Sequence, residues 1–399
     1  MLISHRIALD PNDRQTTYFA RACGTARFAY NWALAEWQRQ YKEGGKPSEA
    51  ALRRQLNDIK AEQFPWMLEV TKNAPQQGIK NLGAAFKRFF TGEGRYPRFK
   101  KKGVADSFRA DNGTDKNHQH AVEVNGRRVK LPVLGWVRMH EPLRFNGKVL
   151  SAVVSRTADR WFISLTVEIE HQTPVRESQA VGGVDLGVSS LATISDGSTW
   201  VGPKALRSNL ARLKRLSRSL SRKVKGSANR RKAKAKIARL HARIAHIRAY
   251  ALHKLTTALV TRFAVIGIED LNVRGMMAND RLSRSIADMG FHEFRRQLEY
   301  KAAMYGSRVV VADRWHPSSK TCSECGIVLV ALPLSVREWD CLDCGAHHNR
   351  DVNAAKNLMK MAVSSTVTAC GEEGPGLGLA AKVKPASMKQ ESNIEATYA

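Results

Sequence analysis

Two Cys-x-x-Cys pairs, Cys322/Cys325 and Cys341/Cys344, stand 15 residues apart and constrain the fold of the 399-residue chain more than any other feature. Each pair offers two thiolates to one ion, and two pairs complete a tetrahedral shell. Residues 322–344 must therefore fold back on themselves around one structural Zn²⁺. A closed shell leaves no position for water, so this zinc holds structure and does no chemistry. His347 and His348 are near enough to be rival ligands, but with four thiolates available both are expected on the surface. Cys23 and Cys370 stand alone. Cysteine spent on metal and not on disulfides implies a reducing compartment, hence the cytoplasm.

Charge narrows the partner. Lys and Arg total 65 against 36 Asp and Glu, a net charge of +29 with a pI near 10.2. A folded chain this basic takes a polyanion. No apolar run approaches the ~18 residues of a membrane span, and no signal peptide opens the sequence, so no membrane partner is expected.

Periodicity gives the order of elements. "LISHRIALDP" alternates Ile3, His5, Ile7 and Leu9 and reads as a strand ended by Pro11. Apolar residues recur at helical spacing from Pro11 to Lys42, Ser48 caps a second helix, and Pro75 opens a third through Phe90, so 11–95 is a helical block. The basic "RYPRFKKKG" follows. Residues 104–172 then hold several short strands, with Asn125-Gly126 as a hairpin turn. They suggest a small barrel that takes in the first strand, with the helical block inserted in it.

After a linker at 173–180, "VGGVDLGVSSLATISDGSTWVG" reads as an antiparallel three-strand meander. From Lys204 to Arg248 there are 17 Lys and Arg and no carboxylate. Leucine and isoleucine stripes either side of Gly226 make this stretch a helical hairpin. "AVIGIED" and "RVVVAD" are buried strands flanking a helix at 286–305, and the last helix begins near Asp351. Beyond Val363 the Gly-, Ser- and Pro-rich tail is expected to be disordered.

Three carboxylates stand out in this basic chain. Asp185 lies on the first meander strand between "VGGV" and "LGV", small residues that let another backbone or a phosphate approach. Glu269 ends an apolar strand, and Asp351 opens a helix in "NRDVNAAKN". Taken singly, plainer readings are favoured: a turn-stabilising group, a strand-end surface charge and a helix N-cap. Taken together, they describe an RNase H-like core whose three acids converge at one edge. Hard oxygen ligands suit Mg²⁺. Two such ions (Mg²⁺, or Mn²⁺), about 3.5–4 Å apart, serve in-line phosphodiester displacement. "GVDLGVSSLATISDG" also matches the first phosphate loop of actin-like ATPases, but the second Asp-x-Gly hairpin and the adenosine loop those enzymes need are missing.

Five motifs in order, "GVDLGVSSLATISDG", "IGIEDLNVRGM", "PSSKTCSECG", "LSVREWDCLDCG" and "HHNRDVNAAKNL", span roughly 181–361. They closely resemble TnpB, the family of transposon-encoded RNA-guided DNA endonucleases related to type V CRISPR effectors. The resemblance implies a multidomain α+β chain. Its RNase H-like (RuvC) nuclease core would occupy 178–313, with a basic helical insertion at about 204–262 and metal held by Asp185, Glu269 and Asp351. A zinc-binding target-nucleic-acid module would follow at 314–347, inserted before a final helix at 348–363 and a tail at 364–399. Residues 1–10 and 104–172 would form a small β-barrel (wedge) domain, and 11–103 an inserted helical recognition lobe.

The implied partners are a guide RNA transcribed near the chain's own gene and double-stranded target DNA flanked by a short motif the protein reads. The setting would be a bacterial or archaeal cytoplasm, at the nucleoid. Phosphate-binding charge is expected from Arg98, Lys100, Lys101 and Lys102, and from Arg212, Lys214, Arg215, Arg222, Lys223, Arg230, Arg231 and Lys232. Two rivals remain: a DNA transposase using the same acids for strand transfer, and a non-cleaving zinc-containing repressor.

Overall fold

A computed structural model describes residues 1–113, 120–170, 173–176 and 178–370. In chain order the first elements are β1 (Leu2–Asp10), α1 (Asp13–Lys42), α2 (Glu49–Gln63), a 3₁₀ turn (Pro65–Glu69) and α3 (Asn73–Phe90). Six strands follow: β2 (Ser107–Asp111), β3 (Glu123–Asn125), β4 (Arg128–Leu131), β5 (Gly135–Met139), β6 (Lys148–Thr157) and β7 (Arg160–Glu168). The meander is β8 (Val181–Asp185), β9 (Ala192–Ile194) and β10 (Thr199–Trp200). Then come α4 (Ala205–Ser221), α5 (Ala228–Arg262), β11 (Val265–Ile268), α6 (Val273–Met277), α7 (Ser283–Met289) and α8 (Phe291–Tyr305). The chain closes with β12 (Arg308–Val311), β13 (Glu338–Asp340), β14 (His347–Asn349) and α9 (Arg350–Cys370). Among the described residues no helix is long and apolar enough to cross a membrane.

These elements form two compact units. One comprises Met1–Arg176, Val201–Ala258 and Val273–Gly306; the other comprises Glu177–Trp200, Leu259–Asn272 and the chain from Ser307.

In the first unit, β1–β7 make a seven-stranded antiparallel sheet in the order β2-β6-β7-β1-β5-β4-β3. The first strand joins those at 104–172 because Ile7 and Leu9 alternate inward, to a core shared with Phe108, Val129, Val137, Ile163 and Leu165. Helices α1–α3 enter the chain between β1 and β2. Asn12 starts α1 by accepting from the Gln15 amide at 2.9 Å while Gln15 Oε1 accepts from the Asn12 amide at 3.0 Å, a reciprocal capping box. The aromatic residues of this helical block are core: Trp37 stacks on Phe86 at 4.1 Å, in a cluster with Leu34, Leu52 and Leu82.

The basic stretch is a helical hairpin. Gly226, at φ +85°, turns the chain from α4 into α5, and Leu213 and Leu216 pack against Leu240 and Ile244. The buried carboxylate of Asp288 caps α4, accepting from the Leu206 amide at 2.9 Å and the Arg207 amide at 3.1 Å. The single helix expected at 286–305 is instead two, α7 and α8, because Gly290 takes φ +75° and breaks it.

The second unit is built on a five-stranded sheet, β10-β9-β8-β11-β12, in which β8–β10 run antiparallel while β8, β11 and β12 run parallel. Helix α9 lies on β8 and β11 at a separation only glycine allows. A Cβ on Gly183 would strike the backbone oxygen of Ala355, and one on Gly267 that of Leu358. The small residues around Asp185 therefore admit another backbone, one of the two partners the sequence left open. Helix α9 also outruns the expected end at Val363, because no Gly or Pro interrupts it before Gly371. Residues 371–399, most of the expected tail, lie outside the described residues.

Candidate metal centres

The cysteines sit on two matching knuckles. In the first, the Gly326 amide donates to Cys322 O at 3.0 Å and the Cys322 amide to Ile327 O at 2.8 Å. In the second, Gly345 donates to Cys341 O at 2.9 Å and Cys341 to Ala346 O at 2.9 Å. Each turn closes through a glycine of positive φ, +84° at Gly326 and +70° at Gly345. The sequence Cys-x-x-Cys-Gly thus encodes the whole turn.

All four sulfurs lie within 4.8 Å of one another. Cys322 and Cys344 are 3.7 Å apart, and Cys325 and Cys341 3.6 Å. A disulfide needs about 2.05 Å, whereas a tetrahedron with Zn–S bonds of about 2.3 Å has edges of about 3.8 Å. The four thiols fit zinc.

His348 is not on the surface as expected. It is buried, 4% exposed, with its ring 4.6 Å from that of Trp339 and its Nε2 3.0 Å from Cys322 Sγ. Strand register is the cause, since β13 and β14 pair Trp339 with His348 and leave His347 outside. There His347 Nδ1 meets Asp340 at 2.7 Å.

Helix α9 holds the knuckle through residues that sequence reasoning passed over. Buried Asn353 accepts from the Ser323 amide at 2.8 Å and donates to Thr321 O at 2.7 Å. One turn on, buried Asn357 donates to Ser318 O at 2.8 Å and Thr321 O at 2.6 Å. Arg350 donates to Pro333 O at 2.6 Å, tying down the loop between the knuckles. The i, i+4 spacing of the two asparagines was the available signal.

The same helix carries the third acid. Val184 on β8 is registered against Ile268, the last residue of β11, so Asp185 at the end of β8 and Glu269 just past β11 come next, side by side. Side chains alternate along a strand, so each acid shares the face of the glycine two residues before it, the face α9 covers. On α9, Asp351 stands four residues before Ala355 and shares its stripe. The fold thus directs all three acids to one region.

Burial pushes the Asp185 carboxyl well above the usual carboxylate range; the charges of Glu269 and Asp351 push it further, while Arg350 and Arg337 oppose them. Arg337 Nη1 lies 3.3 Å from Asp351 Oδ1, and Ser318 Oγ donates to Glu269 Oε1 at 2.5 Å. Neighbouring Asp270 is engaged elsewhere, with Arg314 at 2.6 Å. Among the described residues the acids do not gather within 4.8 Å as the thiols do. Three half-buried carboxylates brought to one region, with the charges of two bearing on the third, fit hard divalent cations.

The basic residues divide. Arg98, Lys101, Lys102, Arg212, Lys214, Arg215, Arg222, Arg231 and Lys232 are exposed. Lys100 lays its ammonium 4.1 Å above the Tyr30 ring. Lys223 is half-buried. Arg230 is turned inward, donating to Leu220 O at 3.0 Å and Lys223 O at 2.8 Å, and so closes the end of α4. Arg212 and Arg215 line a cleft with Lys236, Arg239 and Arg243, which the sequence reading did not single out although they recur at i, i+3 and i+7.

Comparison with known proteins gives three matches to family models. Residues 164–280 match one described as "Probable transposase", 291–358 a "Cas12f1-like, TNB domain", and 1–46 a "Helix-turn-helix domain". Over 1–46 the structure has one strand and one 30-residue helix. A Streptomyces pristinaespiralis protein named "Putative RNA-guided DNA endonuclease" is 39% identical over 390 residues, covering 96% of this chain and 94% of that protein. The like-named InsQ of Escherichia coli (strain K12) is 36% identical over 388 residues, covering 93% and 94%. Among solved structures, the Cas12f1 chain in a cryo-EM complex with sgRNA and target DNA superposes with a TM-score of 0.57 at 16% identity, covering 87% of this chain and 83% of that one. That likeness is one of fold.

Proposed function

We propose, on the premise that this chain belongs to the TnpB family, that it is an RNA-guided DNA endonuclease of a transposon whose cutting site is Asp185, Glu269 and Asp351. What supports the site most is the shared edge: adjacent parallel strands deliver Asp185 and Glu269, and α9 delivers Asp351 to the face they share. The β8–β12 sheet with α9 is then the RNase H-like (RuvC) core. The seven-stranded sheet is the wedge, α1–α3 the recognition lobe and 314–347 the target-binding zinc module.

The three carboxylates would hold Mg²⁺, or Mn²⁺, as oxygen ligands. When bound, two such ions supply the charge that activates water and stabilises the leaving 3′ oxygen of a phosphodiester. The chain's own part is positional. The strand edge and the helix fix where the acids stand, and Arg337 and Arg350 offset the repulsion among them. The four cysteines hold zinc and keep the module folded, and the exposed cations of α4 and α5 grip phosphates without reading sequence. Sequence is read by base pairing with the guide RNA.

The test is plasmid cleavage in Mg²⁺ with RNA transcribed from beside the gene. Exchanging the RNA's 3′ segment should move the cut to the plasmid that matches it. A second reading, strand transfer by a DNA transposase, draws on the description of the model matched at 164–280. It expects joined DNA ends and indifference to the RNA.

A further inference from the structure

Ser318 occupies an unusual place for a small loop hydroxyl. It is 4% exposed, four residues ahead of the first zinc thiol, and its Oγ donates to Glu269 Oε1 at 2.5 Å. The turn it belongs to is rigid. Pro317 O accepts from the Thr321 amide at 3.0 Å and from Thr321 Oγ1 at 2.8 Å, and the chain passes directly into the first knuckle. The main chain of Ser318 is held as well, since Asn357 on α9 donates to its carbonyl oxygen at 2.8 Å.

We propose that Ser318 is the positioning residue for Glu269, and that the zinc knuckle, through the 317–322 turn, sets where Ser318 stands. This rests on the reading of Asp185, Glu269 and Asp351 as metal ligands.

Glu269 is a carboxylate with three rotatable bonds, beside two others of like charge. Left alone, Glu269 swings away from Asp185 and Asp351. A donor fixed on Oε1 selects one rotamer, leaves Oε2 for the metal, and removes part of the ordering cost that binding would otherwise carry. The donor is itself fixed at both ends, by α9 through Asn357 and by the knuckle through Cys322. The zinc module is thereby a part of the acid site and not only a neighbour of it. Partners of this kind set metal affinity by roughly ten- to a hundredfold.

The experiment titrates Mn²⁺ into the full-length, zinc-loaded protein and reads free Mn²⁺ by electron paramagnetic resonance, with zinc content measured on the same samples. Wild type is compared with Ser318→Ala, Ser318→Thr and Asp185→Ala. The expected result is Mn²⁺ affinity lowered about tenfold or more in Ser318→Ala, with zinc unchanged, and recovered in Ser318→Thr, which keeps the hydroxyl. Wild-type affinity in Ser318→Ala overturns the proposal. So does a loss accompanied by zinc release that threonine does not restore, since Ser318 would then serve only the fold of the knuckle. If Asp185→Ala leaves Mn²⁺ binding intact, the failure lies in the reading of the acids, and the proposal falls with it.

Discussion

Gly183 on β8 lies beneath the backbone oxygen of Ala355 on α9, so close that a single methyl group would collide with it. Two residues beyond Gly183 is Asp185, and four residues before Ala355 is Asp351. The contact that packs the helix on the sheet is also the contact that brings the two acids to one face. Gly183→Ala should therefore destabilise the protein by on the order of 3 kcal/mol, the upper end for overpacking a core. It should also weaken metal binding, although it removes no ligand. A melting curve alongside a Mn²⁺ titration checks both; an unchanged Tm would contradict the packing argument.

Stability should depend on pH through Asp185. In Mg²⁺-free protein its carboxyl is raised by burial, then by Glu269 and Asp351. An acid raised on folding penalises the folded state once pH exceeds the unfolded value near 3.9. The penalty grows until pH passes the folded value and is constant above it. Asp185→Asn removes the charge, so it should raise Tm at about pH 8, by roughly 1 °C for each kcal/mol relieved in a chain of 399 residues. The gain should disappear as pH falls to about 4. Melting curves across that range decide it, and equal Tm values throughout would sink the idea.

The zinc module depends on two kinds of residue. Cys341→Ser should lose the one zinc expected per chain, measured by elemental analysis. Asn357→Ala keeps every thiolate but strips the donor from Ser318 O and Thr321 O. Thr321 O keeps the Asn353 amide, but Ser318 O is left unpaired, which costs about 1–3 kcal/mol. Zinc should stay at one per chain while Tm falls; zinc loss in Asn357→Ala would mean the helix contact is needed for the knuckle to close.

Nucleic-acid affinity should fall steeply with salt. Arg212→Ala and Arg215→Ala, from the cleft between α4 and α5, should each reduce the slope of log K against log salt by about 1 if each meets one phosphate. Arg230→Ala should lower stability and leave the slope unchanged, because that guanidinium serves Leu220 O and Lys223 O. Filter binding across a salt series separates the two classes.

What the sequence made legible was local. Cys-x-x-Cys-Gly fixes a knuckle within six residues, Asn-Gly fixes a hairpin, and Gly226 divides two helices. The three acids could be nominated because strand and helix periods place each one on its element. What stayed hidden depends on partners far along the chain. Burial of His348 follows from its pairing opposite Trp339. The break at Gly290 and the cap on α4 at Asp288 arise where separate helices meet. Asn353, Asn357 and Ser318 act only once α9 is laid beside the 317–323 turn; the i, i+4 spacing puts the two asparagines on one helix face but does not say what that face meets. Arg230 looked like any other cation in a basic run until its two carbonyl partners were seen.

The most direct test of the account compares wild type with Asp185→Ala, Glu269→Gln and Asp351→Ala, each with guide RNA, a matching plasmid and Mg²⁺, scoring binding and cleavage separately. All four should bind the plasmid, and the three variants should cut it more slowly by about a hundredfold or more, as removal of transition-state charge stabilisation does. Cleavage at the wild-type rate by any one of the three would contradict it.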